Sequence, residues 1–202
     1  EHGAAPAFGV VPLEEREFLM DRYPYTTVDN SRLWQDYLYR AEDLMTLAGR
    51  RYSGQRNHIN KFKKLYPEAV YRPLTPEDSE AVEVFWEEFH RIFNKEDALA
   101  QKELCYARKL MRQVGRSWIK AGCIELDGKL LALSLGEVCG DPLICHIEKG
   151  LPQYEGVYPM MMHAFAAANG EGLRWINRED DAGDRGLRTS KLQYLPADMG
   201  CK

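Results

Sequence analysis

Apolar positions recur at two periods along this chain, and each change of period marks an element. Val82, Phe85, Trp86, Phe89 and Phe93 return every three or four residues. That spacing predicts a helix with one apolar face, and Glu80, Glu83, Glu87 and Glu88 fall on its solvated side. Thr75 can cap it, with Pro76 at the first position and Asp78 three residues after the cap. A second helix is expected over about Asp97–Val114. Strand-like runs follow: Trp118–Leu126, the Asp127-Gly128 turn, then Lys129–Glu137. Cys139-Gly140-Asp141-Pro142 turns the chain into a third run, Leu143–Glu148. Leu130–Leu135 is apolar at every position but Ser134, the pattern of a strand covered on both faces. Pro159 then opens a helix to about Ala168, and Leu173–Asn177 makes a fourth run. Ala69–Leu74 reads as a leading strand. Before Pro67 the pattern predicts a strand over Thr26–Tyr39, a short helix over Ala41–Leu47, a break at Gly49 and a helix over Gln55–Leu65.

Three antiparallel strands, a crossover helix and a strand parallel to the third make a mixed sheet, so the fold class is α+β. With the leading strand and two helices the order is β-α-α-β-β-β-α-β, that of the GNAT acyltransferase fold. Fold alone assigns no reaction. A boundary near Pro67–Pro76 divides the chain into residues 1–66, ending in a basic helix, and residues 67–202.

Composition narrows the class. The chain has 202 residues, one to two domains on a prior of roughly 150 residues each. Lys plus Arg number 27 against 31 Asp plus Glu, a net charge of −4, which argues against a general nucleic-acid coat but allows a local basic patch. The five cysteines form no Cys-x-x-Cys pair. Reduced thiols in a cytoplasmic protein are therefore expected, with neither a disulfide framework nor a metal site. The longest uncharged apolar stretch, Val157–Gly170, is too short to span a bilayer. No signal peptide is visible, and the missing initiator Met reads as a fragment or trimmed product.

Four groups can carry chemistry. His146 and Glu148 are two apart in a strand and should project together as general base and orienting partner, with Cys145, Ile147 and Lys149 facing the other way. Replacing either is expected to abolish transfer and leave the fold intact. Asn177-Arg178-Glu179-Asp180-Asp181 follows the fourth run, where ligands of open α/β sheets gather. In Gly186–Tyr194, a helix would put Leu187, Lys191 and Tyr194 on one face beside Arg188, and the two cations can grip a carboxylate or phosphate. Lys149, Asn177, Arg178, Glu179, Asp180, Arg188, Lys191 and Tyr194 are thus the expected substrate-binding residues, meeting His146 and Glu148 in one cleft. The fourth group is Arg50–Lys64, with six Lys or Arg and no acid. Arg50, Arg51, Arg56, Asn57, His58 and Lys61 are its candidates for contact with RNA or another polyanion. The competing readings are a structural hydrogen-bonded pair for His146 and Glu148, a solvated loop for Asn177–Asp181, a helix cap with surface salt bridges for Gly186–Tyr194, and a solvated helix face, the more common outcome, for Arg50–Lys64.

Acyl-CoA-dependent GNAT enzymes follow the third of these strands with Gln/Arg-x-x-Gly-x-Gly/Ala, whose amides bind pyrophosphate. The matching stretch is Gln153-Tyr154-Glu155-Gly156-Val157-Tyr158, where Tyr158 replaces the last small residue and Glu155 adds a negative charge.

Arg56-Asn57-His58-Ile59-Asn60-Lys61-Phe62, His146-Ile147-Glu148-Lys149, Asn177-Arg178-Glu179-Asp180 and Gly186-Leu187-Arg188-x-x-Lys191 occur together and in order. In these motifs the chain resembles the phosphatidylglycerol lysyltransferase C-terminal domain family, over about Tyr37–Pro196. The resemblance implies a bacterial GNAT-like acyl- or aminoacyltransferase domain with two lobes, of which residues 1–66 are a shortened first one. It implies transfer from aminoacyl-tRNA to an acceptor amine or hydroxyl, including a lipid head group, with a strand amide or Arg188 at the oxyanion. The family's lysyl-recognition pair corresponds to His146 and Lys149 and is not kept. Acyl-CoA as donor, with a degenerate phosphate loop, and a catalytically silent binding module are the alternatives. No cofactor beyond the donor is implied.

Overall fold

A computed structural model describes residues 15–23, 32, 35–93 and 98–201. The chain divides into two compact units, residues 39–178 and residues 1–38 joined with 179–202.

The larger unit is built on a sheet in the order β2-β3-β4-β5-β6, comprising β2 (Val70–Pro73), β3 (Ile119–Leu126), β4 (Lys129–Val138), β5 (Leu143–Gly150) and β6 (Trp175–Asn177). Neighbours are antiparallel except β5 and β6, which are parallel, as the crossover pattern requires. With α4 (Ser79–Phe93), α5 (Ala98–Met111) and α6 (Val157–Asn169), the succession from β2 to β6 is the predicted β-α-α-β-β-β-α-β of the GNAT fold. The β3–β4 turn has Asp127 at φ 51° and Gly128 at φ 78°, the doubly left-handed geometry that an Asp-Gly pair favours.

Residues 130–136 of β4 are buried throughout, since helices cover both faces of the sheet. On one face, Val82, Phe85, Trp86 and Phe89 of α4 and Leu104, Ala107 and Met111 of α5 pack with Leu133, Leu135 and Ile147. Each large side chain buried there contributes roughly 1.5–3 kcal/mol. Thr75 and Asp78 form the expected capping box, although the first turn, Pro76–Asp78, is 3-10 rather than α. On the other face lie α6, α2 (Ala41–Thr46) and α3 (Ser53–Leu65). Arg56 ties the last two together, donating to the carbonyls of Leu47 and Gly49.

In the smaller unit, the start of β1 (Gln35–Arg40) pairs antiparallel with β7 (Asp198–Cys201), with Gln35 opposite Cys201 and Leu38 opposite Asp198. This unit also holds α1 (Arg16–Arg22) and α7 (Arg185–Leu192). Of the strand expected over Thr26–Tyr39, residues 26–31, 33 and 34 lie outside the described residues, as does Asp97 at the start of the second predicted helix. α6 begins at Val157, two residues before Pro159, because Gly156 adopts φ 83° and turns the chain there.

Candidate functional site

β5 and β6 pair only at Leu143–Ile176 and Ile144–Asn177. β5 then runs on to Gly150 while β6 stops at Asn177, so the two strands part at their carboxyl ends. His146, Glu148 and Lys149 lie on β5 past the last paired residue, and Arg178 follows β6.

The alternation expected along β5 does not hold. Gly136 of β4 faces Cys145, but Leu135 faces Ile147, so His146 is the extra residue of a β-bulge. Gly136 permits this, since a Cβ there would stand 2.3 Å from the Ile144 carbonyl oxygen. After the bulge, Cys145 and Glu148 line the same tightly packed contact with Leu44, Met162, Phe165, Ile176 and Arg178. The expectation that Cys145 faces away from Glu148 is therefore corrected. The two-residue period fails wherever a strand carries one residue more than its partner.

The expected His146–Glu148 pair is also replaced by two others. His146 Nε2 lies 3.3 Å from Glu137 Oε1, with both side chains partly exposed. Glu148 Oε2 accepts from Arg178 Nε at 2.7 Å, with only 16% and 9% of the two side chains exposed. The Arg178 guanidinium also lies 5.7 Å from the Tyr39 ring centroid. Glu148 is thus half of a buried ion pair, so its loss is expected to lower stability as well as any transfer. Lys149 pairs with Glu103 of α5 at 2.7 Å and lies over Phe89.

The remaining expected binding residues, Glu179, Asp180, Arg188, Lys191 and Tyr194, belong to the smaller unit. Its organising group is Asp181, which has no solvent exposure. Arg188 grips it with Nε at 2.7 Å and Nη2 at 2.9 Å, Tyr37 donates its hydroxyl at 2.5 Å, and Gly183 N donates at 3.0 Å. The Arg188 guanidinium holds the Asp181 carboxyl well below the usual carboxylate range, against the opposing effect of burial. Lys191 is 5% exposed and donates to the carbonyls of Glu179 at 3.2 Å and Asp180 at 2.5 Å. Glu179 and Ala182 sit at φ 56° and 47° within that loop. Arg188 and Lys191 therefore both shape the chain's own acidic loop, Arg188 with 30% of its side chain still exposed. Tyr194 is buried beside them in sequence, whereas Leu187 is 41% exposed, so the three do not form one binding face.

Half of the basic run is likewise engaged. Arg51 pairs with Asp43 at 2.6 Å, Arg56 caps α2, and Lys61 pairs with Glu155 at 2.7 Å. Arg50, Asn57, His58, Lys63 and Lys64 stand exposed. α3 lies directly on the stretch that matches the CoA loop. A Cβ on Gly156 would stand 2.5 Å from the His58 carbonyl oxygen, and Tyr154 meets Tyr66 edge-on at 5.4 Å. Gln153 donates to Glu88 at 3.0 Å. Gly156 of the matching stretch is thus covered by α3, while Gln153, Glu155 and Tyr158 remain exposed.

Comparison with known proteins identifies this combination. The family described as Phosphatidylglycerol lysyltransferase, C-terminal, matches residues 1–200. The chain belongs to that family. A family relative in sequence and structure is a conserved protein of unknown function from Bacteroides thetaiotaomicron VPI-5482, 30% identical with a TM-score of 0.79, the match covering 94% of this chain and 65% of that one. An uncharacterized protein from Mycoplasmoides gallisepticum (strain R(low / passage 15 / clone 2)) is 26% identical over 188 residues, 90% of this chain and 58% of the relative. The same fold occurs in the C-terminal domain (DUF2156) of a putative lysylphosphatidylglycerol synthetase from Agrobacterium fabrum, with a TM-score of 0.58, 11% identity and coverage of 83% and 58%. The chain thus spans less than two thirds of the length of these proteins. Among the described residues no helix is long and apolar enough to cross a membrane, and no group of His, Cys, Asp and Glu is placed to hold a metal ion.

Sequence reasoning missed Glu137, Glu103, Tyr37 and the singular role of Asp181. Nothing in a run of Glu-Asp-Asp tells which carboxylate is buried. The one local signal was Asp184, whose side chain caps α7 by accepting from Leu187 N at 2.6 Å and so sets the helical phase of Arg188.

Proposed function

We propose that this chain is an aminoacyl-transfer domain that takes its donor as aminoacyl-tRNA rather than acyl-CoA. The observation that carries the reading is the packing of α3 against Glu155 and Gly156, in a member of this family, where a CoA pyrophosphate would need open amides. The acceptor amine or hydroxyl attacks the ester carbonyl carbon of the donor. Its proton passes to His146, which Glu137 orients, and returns to the departing ribose oxygen. Arg178 and Glu148 hold the carboxyl ends of β5 and β6 in place. The acceptor class is a small amine or a lipid head group, and the expected setting is the bacterial cytoplasm. Arg50, Lys63 and Lys64, exposed and outside the ion pairs of Arg51 and Lys61, are the cations of the basic segment that meet the tRNA backbone.

The test offers the chain labelled aminoacyl-tRNA and acyl-CoA in parallel, with amine and lipid-head-group acceptors. Transfer from aminoacyl-tRNA alone is expected, reduced by about 10²–10⁴ in His146→Ala. Three neutralised phosphates should give log K against log salt a slope of about −2 to −3. Transfer from acyl-CoA, or unchanged turnover in His146→Ala, would overturn the reading. A catalytically silent binding module is the second reading, favoured by the internal pairing of Glu148, Lys149, Arg188 and Lys191. It gains if neither donor supports transfer.

A further inference from the structure

A groove separate from the parted strands opens where β3 begins, β4 ends and α6 leads into β6. It is open to solvent, offers about 280 Å3, and is lined by Ser117, Trp118, Lys120, Val138, Asn169, Glu171 and Leu173. Its rims are fixed from within. Trp118 O accepts from Val138 N at 2.8 Å, and Lys120 Nζ donates to Ser117 O at 3.0 Å. Asn169 Nδ2 donates to Phe165 O at 2.9 Å and to the Tyr71 hydroxyl at 3.3 Å. The Trp118 indole is 47% exposed, and the Arg116 guanidinium lies 5.3 Å from its centroid.

The geometry points to a binding site for a single nucleotide. The volume, just under the usual small-molecule range of roughly 300–1,000 Å3, is enough to seat one base. The indole, one face of which Arg116 covers, offers its other face for stacking, beside apolar Val138 and Leu173. Lys120 of the lining supplies a point charge for one phosphate, and Arg116, which lies over the indole outside the lining, adds a fork at the groove's edge. Glu171, the exposed carboxylate of the lining, accepts from an exocyclic amino group, which cytosine and adenine carry and uracil lacks. An acidic peptide would use the two cations but leave the indole and Glu171 unmatched. The shared chemistry is an amino-bearing nucleotide, either free or as an unpaired residue of RNA. This site goes beyond the transfer reading, because it shares no lining residue with His146 and Glu137, where that reading puts the chemistry.

Equilibrium dialysis of the chain against CMP, AMP, UMP and a short single-stranded oligocytidylate tests it. CMP and AMP should bind saturably and about tenfold more tightly than UMP. Trp118→Ala should lose binding and lower the melting temperature by no more than a few degrees, since about half of its side chain is already in solvent. Arg116→Ala with Lys120→Ala should weaken CMP by about tenfold or more. Glu171→Gln should erase the preference over UMP and keep binding. An oligocytidylate far tighter than CMP assigns the site to an RNA strand, and equal affinities assign it to a free nucleotide. No saturable binding of any probe, or binding unchanged in Trp118→Ala, overturns the proposal and leaves the transfer test untouched.

Discussion

Replacing Glu148 with Ala removes one half of an ion pair whose side chains are only 16% and 9% exposed. The Arg178 guanidinium would stay among Leu44, Met162, Phe165 and Ile176 without the carboxylate that β5 supplies to it. Breaking a buried pair from one side costs roughly 3–5 kcal/mol, because desolvation remains when attraction is gone. For a chain of this size about 1 kcal/mol moves the melting temperature by about 2–4 °C, so a fall of roughly 6–20 °C is expected. Replacing both partners with apolar groups, Glu148→Leu with Arg178→Met, should recover most of the loss, since two charges then need no solvation. His146→Ala is the contrast: its contact with Glu137 is long and partly exposed, and a change of about 1 kcal/mol or less is expected. Thermal and urea unfolding, followed by circular dichroism, measure all three. A Glu148→Ala protein as stable as the parent, or a double variant no better than the single, would refute the claim that this pair is buried and mutually dependent.

Other consequences are as direct. Asp181 has a folded pKa depressed by Arg188, so its stabilisation is complete above the unfolded carboxylate value near 4 and fades as pH falls through the lower folded value. Asp181→Asn should be less stable than the parent at neutral pH, with the difference narrowing below about pH 4 in urea titrations; a constant difference would count against the linkage. Gly156→Ala places a methyl 2.5 Å from the His58 carbonyl at φ 83° and should cost more than about 1–2 kcal/mol by urea unfolding, by forcing α3 away from α6. Burial pushes the Cys123 thiol up to about 12, so at pH 8 a thiol reagent should modify exposed Cys105 and Cys139 first, as read by peptide mass spectrometry. Early labelling of Cys123 would contradict its packing.

Local pattern determined much of this protein. The three-and-four spacing on α4, the Thr75–Asp78 box, the Asp127-Gly128 turn and the apolar run of β4 each depend on neighbours in sequence, and so were legible without a structure. The same is true of the succession β-α-α-β-β-β-α-β, because strand direction follows from connection length. Partners across the fold were a different matter. The bulge at His146 arises from a glycine on the neighbouring strand, and it moved Cys145 to the side of Glu148. Tertiary packing alone decided that Glu148 meets Arg178, that Asp181 rather than Asp180 is buried, and that Lys191 turns inward. A charged side chain reads the same in sequence whether it faces solvent, substrate or another charge. Only the distance to its counter-ion, set by how strands part and helices pack, distinguishes the three.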